Sequence, residues 1–246
     1  MGERYLARFY GRCDLVLTPS QAIADDLERA SPGLRTAVWG RGVDRSVFSP
    51  AHRDLAWRRA QGFADDDVVV AFFGRLVLEK GTVLFADVIA ELRRRGRRIV
   101  PLVIGDGPER ARLEEMLGEA VFTGHVEGRD LSRAIASAEV VVNPSVTEAF
   151  GNVNLEAMSA GPVVIAADVP VTRNMIDDGE TGVLVEANTV PAFSEATERL
   201  MADAALRRAI AARAQAAAQA YDWTAILDGV VAEYRALVKP EALHAG

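Results

Sequence analysis

Cysteine is nearly absent. Cys13 stands alone in 246 residues, so no internal disulfide can form and no Cys/His zinc spacing exists. With no histidine near it in sequence, Cys13 reads as a small apolar residue rather than a nucleophile. There are three histidines. His125 sits in a loop, where a lone histidine is ordinarily exposed, and His52 and His244 have less to recommend them. Positive charge is in deficit: the net charge is −7 and the pI about 5.1, which excludes a general nucleic-acid binder. No apolar run approaches a membrane span. Met1–Tyr10 is mixed and charged, unlike a signal peptide, so the expectation is a cytoplasmic protein. Internal repeats and low-complexity runs are lacking, apart from an alanine-rich stretch around Ala211–Ala218.

What is present is apolar and regularly spaced. Half of the residues are apolar, enough for a core at this length. From Asp67 onward, short β-rich runs alternate with helical stripes. The runs are Val68–Phe73, Ile99–Ile104, Ala120–Phe122, Val140–Val142, Pro162–Ala166 and Val183–Val185. Their nearly continuous apolar character predicts strands buried on both faces. Between them, Leu84, Phe85, Val88, Ile89 and Leu92 fall on one helical face, and so do Leu131, Ala134 and Ile135. Strand, helix, strand, repeated, predicts a doubly wound α/β domain with a parallel sheet, which binds ligands at the carboxyl ends of its strands. Thr189–Val238 reads as three helices, the last with Trp223, Ile226, Leu227, Val230, Val231, Tyr234 and Leu237 on a stripe expected to be packing surface.

The first 45 residues form a fragment: a helix at Arg4–Arg12, a strand at Leu15–Leu17, a helix capped by Ser20 through Arg29, and a strand at Thr36–Trp39. It is too small to bury its own faces. Ser49-Pro50 onward, with Trp57-Arg58-Arg59 on a helix, links it to the main domain. The expected division is 1–45, 46–221 and 222–246. Arg93-Arg94-Arg95-Gly96-Arg97-Arg98 reads as a solvated helix end, with contact to a membrane surface or an acidic partner as the alternative.

Four strand ends carry distinctive loops. Gly74-Arg75-Leu76-Val77-Leu78-Glu79-Lys80-Gly81 brings two cations and two glycines to the sheet edge, which is what a diphosphate requires. Gly105-Asp106-Gly107-Pro108-Glu109-Arg110 begins like a dinucleotide fingerprint, but Arg110 replaces the third small residue and Phe122-Thr123-Gly124 carries no acid, so NAD is not expected. Gly124-His125-Val126 closes the third strand. Asn143-Pro144-Ser145 closes the fourth and leads into VTEAFGNVNLEAMSAG, residues 146–161. There Glu148 stands in the loop, Gly151 and Asn152 begin a helix, and Glu156 lies within it beside Leu155. Amides at that helix start could receive a phosphate, and each carboxylate could accept from sugar or ribose hydroxyls. Spacing alone leaves open a first-turn charge and a solvated helix face.

"GRLVLEKG", "VIGDGPER", "FTGHV" and "PSVTEAFGNVNLEAMSAG", in this order, resemble the donor-binding half of the retaining GT-B glycosyltransferases of family 4 (group 1). "TPSQAIADDL" and "VWGRGVDRSVFSP" resemble the segment joining that family's two halves. The resemblance implies one GT-B lobe, a six-stranded Rossmann-like sheet with a C-terminal helical tail. It also implies a nucleotide-sugar donor as substrate, with no cofactor and no metal. Arg75 and Lys80 would hold the diphosphate and, with Glu148 on the donor sugar, form the catalytic set. Glu156 would bind ribose, Val126 would flank the base, and Gly74, Gly105, Phe150, Gly151, Asn152 and Leu155 would complete the donor site. The wording leans toward GDP-mannose or a UDP-hexose.

Departures from the family pattern accompany the resemblance. Most of the acceptor lobe, with a histidine that the family places near the donor sugar, has no counterpart. The Gly161-Pro162 junction is short. Pro170 replaces a common glycine and Asn174 a common glutamate, which puts the loop after the fifth strand in question. The expectation is donor binding with impaired transfer, the acceptor being unreadable. The alternative is a non-catalytic nucleotide-sugar-binding or interaction module, pairing with a separate acceptor-domain chain or with itself. A sugar-nucleotide 2-epimerase shares the architecture, but the continuous EAFGNVNLE stretch fits the transferases better. Peripheral contact at the inner membrane face is compatible with this reading.

Overall fold

The structure is a computed structural model that describes residues 8–148, 150–186 and 188–238. Two compact units emerge, one drawn from Met1–Gly42 and Tyr221–Gly246, the other Val43–Ala220. Of the described residues, 8–42 and 221–238 thus fall in one unit; the sequence reading had 1–45 and 222–246 as separate pieces.

In the larger unit six strands form one parallel sheet: β3 (Val70–Phe73), β4 (Leu102–Ile104), β5 (Val121–Gly124), β6 (Val140–Asn143), β7 (Val163–Ala167) and β8 (Val183–Val185), in the order β5-β4-β3-β6-β7-β8. Each strand matches an apolar run of the sequence, because parallel strands covered on both faces have no polar side to show. Alternate residues divide between the faces. Val70, Phe72, Val140, Val142, Val163 and Ile165 join one core with Phe85, Ile89 and Leu92. The last three lie on α3 (Thr82–Arg94), which packs against α4 (Arg110–Leu117) and α8 (Val190–Ala202). On the other face, α6 (Asn152–Ala160) packs against α5 (Gly128–Ala136) and α9 (Ala204–Ala218).

The order of strands matters for function. The chain starts in the middle at β3, runs outward to β5, and returns to the other side of β3 at β6. The helices that follow β3 and β6 pack on opposite faces, so this boundary is a switch point, the place where a doubly wound sheet takes its ligands at the carboxyl ends. One element went unforeseen: Pro170 opens a short helix, α7 (Pro170–Arg173), in the first-turn position where its fixed φ and missing N–H cost nothing.

The entry into this unit is pinned by Arg58 on α2 (Leu55–Ala60). Arg58 is fully buried, bonds Glu139 at 3.1 Å and the Asp67 carbonyl at 2.8 Å, and lies over the Phe63 ring. The arginine-rich end of α3 is also held rather than merely solvated. Arg93 donates to carbonyls of Ile99, Leu117 and Glu119, Arg94 and Arg95 pair with Glu91, and Arg95 and Arg97 pair with Glu198. The two arginines hold the Glu91 carboxyl down to about 2.

The smaller unit pairs β1 (Val16–Thr18) with β2 (Thr36–Val38) in parallel, joined by α1 (Gln21–Ala30), whose first turn is capped by Ser20. Residues 8–10 are helical; the remainder of the helix expected at Arg4–Arg12 falls partly on residues 1–7, outside the described residues, as does His244. Cys13 is exposed rather than packed. The apolar stripe of α10 (Trp223–Leu237) is not buried as expected: Leu227, Val231, Tyr234 and Leu237 are all exposed. A two-stranded sheet with one crossover helix offers too little surface to cover it. No helix among the described residues is long and apolar enough to cross a membrane.

Candidate functional site

Two loops meet at the switch point because two glycines let them. Gly81 precedes α3 at φ 73°, and a Cβ there would stand 2.7 Å from the Pro144 ring. Only glycine permits both that backbone and that approach. The contact places the loop after β3 against the loop after β6. Thr147 adds a hydroxyl bond to the Glu79 carbonyl at 3.2 Å. Gly105, after β4, does the same on the other side: a Cβ would lie 1.9 Å from the Gly74 carbonyl oxygen. Gly105 is thus required for loop packing, whereas at Gly74 it is the backbone, at φ 141°, that favours glycine.

Across the first junction Lys80 Nζ lies 2.7 Å from Glu148 Oε1, with both side chains largely buried, at 17% and 8% exposure. The pair joins the ends of β3 and β6, which is where the strand order reverses. Arg75 is elsewhere on the same edge. It is mostly exposed, 3.6 Å from Glu79, and lines a cavity of about 330 Å³ with Gly74, Gly105 and Val126. His125 and Glu127, 2.9 Å apart and both exposed, stand on the cavity's rim. The sequence-derived cations therefore share the sheet edge but engage different carboxylates.

The third component is the start of α6. Gly151 is its N-cap and has no side chain to cover the first amides, which leaves a helix N-terminus open to an anion. Asn152 is exposed, Phe150 half-buried and Leu155 buried in the core face. Val153 reaches to within ordinary contact of the position a Gly74 Cβ would take, so this helix start adjoins the loop after β3. One turn in, Glu156 is half-buried, with no ion-pair or hydrogen-bond partner among the described residues. Desolvation raises its carboxyl to about 7. An unpaired carboxylate at such a site can accept two hydroxyl donors.

Sequence reasoning missed what holds this turn. Asn143, the last residue of β6, donates from Nδ2 to Asn154 Oδ1 at 2.8 Å, and its own Oδ1 accepts from Ser145 N–H at 3.2 Å. Both asparagines are buried. They clamp α6 to the strand end and fix the course of the loop carrying Glu148. Asn154 Nδ2 and Ser145 Oγ are buried without partners, polar groups that a ligand or water would satisfy. Asn154 on an otherwise apolar helix face was the available signal. Among the described residues no cluster of His, Cys, Asp or Glu could hold a metal ion.

The family described as glycosyl transferases group 1 matches residues 54–217. A GDP-mannose-dependent alpha-mannosyltransferase of Mycolicibacterium smegmatis is 34% identical over 237 residues, covering 96% of this chain and 60% of that protein. Among solved structures, the sucrose-phosphate synthase of Thermosynechococcus elongatus superposes with a TM-score of 0.84 at 26% identity, covering 96% of this chain and 61% of that one. Anabaena HepE, solved with UDP and glucose, gives 0.83 at 25% identity, covering 96% and 67%. This chain thus spans about 60% of the length of the mannosyltransferase. With the parallel six-stranded lobe and a family match over most of the larger unit, the chain belongs to the group 1 glycosyl transferases.

Proposed function

We propose that this chain binds a nucleotide-sugar donor, GDP-mannose or a UDP-hexose, and serves hexosyl transfer with retention of configuration. The observation that carries the reading is the Lys80–Glu148 pair at the switch point, beside the open N-terminus of α6. Lys80, Arg75 and the amides at Asn152 and Val153 hold the diphosphate. Glu148 accepts from donor-sugar hydroxyls, Glu156 from the ribose, and the base enters the cavity at Val126. The named relatives, one GDP-mannose-dependent and one solved with UDP, support this class of donor.

In the transfer step the bond from the anomeric carbon to the phosphate oxygen breaks, and its electron pair stays on that oxygen. The acceptor oxygen bonds the same carbon on the same face, and its proton passes to the departing phosphate. Negative charge grows on the phosphate as the bond opens. Lys80, released from Glu148 by the donor, and the exposed Arg75 stabilise it as it develops. The reading assigns that neutralisation to side chains, with no metal and no cofactor.

Calorimetric titration with GDP, UDP and their hexoses tests the assignment. Saturable binding of one of them is expected, with slow transfer by this chain alone. A folded sample that binds none would overturn it. A second reading is favoured by the smaller unit, where Phe9, Trp39 and Tyr234 are exposed: an interaction module that pairs with an acceptor-binding partner or with itself. Light scattering that finds a monomer at all concentrations would remove the self-association form of that reading.

A further inference from the structure

The opposite edge of the sheet carries a second cavity, of about 370 Å³. It lies at the amino ends of β6 and β7, where Glu139 precedes the one strand and Val163 begins the other. The length of the sheet separates it from the crevice loops, which leave the carboxyl ends. Arg53, Arg207 and Arg208 line it, with Glu139 as the sole lining carboxylate.

That carboxylate is already engaged. The buried Arg58 bonds it at 3.1 Å, Arg53 pairs with it, and the Val69 amide donates to it at 2.7 Å. The nearby Asp203 spends its Oδ1 on the amides of Ala205 and Leu206 at the start of α9. Four guanidinium groups, on Arg53, Arg58, Arg207 and Arg208, thus stand near two carboxylates, in a chain whose overall charge is −7; Arg53 and Arg58 are committed to Glu139 and Arg53 also to the Ala136 carbonyl, which leaves Arg207 and Arg208 without a bonded carboxylate. Arg207 is half-buried and donates only to the carbonyls of Leu200 and Met201, where it closes the end of α8. Burial, without a hydrogen-bonded carboxylate, lowers its pKa. Arg208 is exposed and has no acceptor among the described residues. A partly desolvated cation normally has a counter-ion, and planar guanidinium forks match the oxygens of a phosphoryl group.

We propose that this cavity binds a phosphate-type oxyanion, free or as the terminal phosphoryl group of a small molecule, held by Arg53, Arg207 and Arg208 at a site separate from the donor crevice. The structural role of Arg207 at the end of α8 uses one of its nitrogens and leaves the others to face the anion.

Inorganic phosphate titrated into the whole chain at constant ionic strength is the test. The expected result is a saturable component of one site per chain that Arg208→Ala weakens about tenfold or more and Arg208→Glu abolishes, apart from any binding in the donor crevice. Arg208 is exposed and makes no hydrogen bond or ion pair among the described residues, so these variants are expected to keep the native circular dichroism. Because phosphate can also enter the donor crevice, Lys80→Ala is measured in parallel and is expected to leave this binding unchanged. No saturation below about 10 mM, equal affinity in Arg208→Glu, or loss in Lys80→Ala alone would overturn the proposal. So would binding to phosphatidylglycerol vesicles without binding of free phosphate, which would make the arginines a charged surface and not a site.

Discussion

Lys80 and Glu148 form an ion pair 2.7 Å long between the loops that follow β3 and β6. Each residue neutralises the other where solvent is largely excluded, so neither can be removed without exposing the partner's charge to a poorly solvating surround. A donor diphosphate would compete for the lysine and its sugar hydroxyls for the glutamate.

The two members should separate under mutation. Lys80→Ala is expected to weaken binding of the bare nucleoside diphosphate by more than about tenfold, through loss of a charge-assisted contact. Glu148→Gln should leave nucleoside diphosphate affinity nearly intact while reducing the preference for the sugar-bearing form. Isothermal titration with diphosphate and sugar-diphosphate ligands distinguishes them; equal losses for both ligands in both variants would contradict the assigned roles.

Glu156 makes stability depend on pH in an unusual direction. Its carboxyl stands at about 7 in the fold against 4.5 for an ordinary glutamate, and the cause is burial. Between those values the unfolded chain has given up its proton while the folded chain keeps it. Unfolding then releases a proton, and stability falls as pH rises from about 4.5 to about 7, with no further loss above. Discounted for partial exposure, the effect is about 1–2 kcal/mol. Glu156→Gln should lack this slope in urea melts taken across the range. Ribose hydroxyls favour the ionised form, so donor binding near pH 7 should release a proton, read from calorimetry in buffers of different ionisation enthalpy.

Gly81→Ala should cost about 2–4 kcal/mol, since it combines a positive φ with a contact against Pro144 that cannot relax cheaply. Thermal denaturation reads the loss. Donor affinity should drop alongside it, because the same contact holds the Lys80 and Glu148 loops together.

Arg58→Ala should destabilise by about 3–5 kcal/mol, as expected when one partner of a buried ion pair is removed. Urea denaturation of the larger unit, Val43–Ala220, provides the measurement, and a change under about 1 kcal/mol would contradict the account of how that unit is closed.

The amino-acid sequence by itself determined the sheet and its helices. Val70–Phe73, Val140–Asn143 and Val163–Ala167 are apolar on both faces, and Phe85, Val88, Ile89 and Leu92 recur at helical spacing, so the local pattern and the buried environment demand the same structure. It also placed Arg75, Lys80, Glu148 and Glu156 at strand ends and a helix start. Other features depended on which segments became neighbours. The Gly81–Pro144 approach, the Asn143–Asn154 clamp, the raised carboxyl of Glu156 and the arginines gathered from positions 53, 207 and 208 all join residues distant in the chain or set by burial. The exposed stripe of α10 shows the converse: periodicity specifies an apolar face, but only the packed structure supplies, or fails to supply, something to cover it.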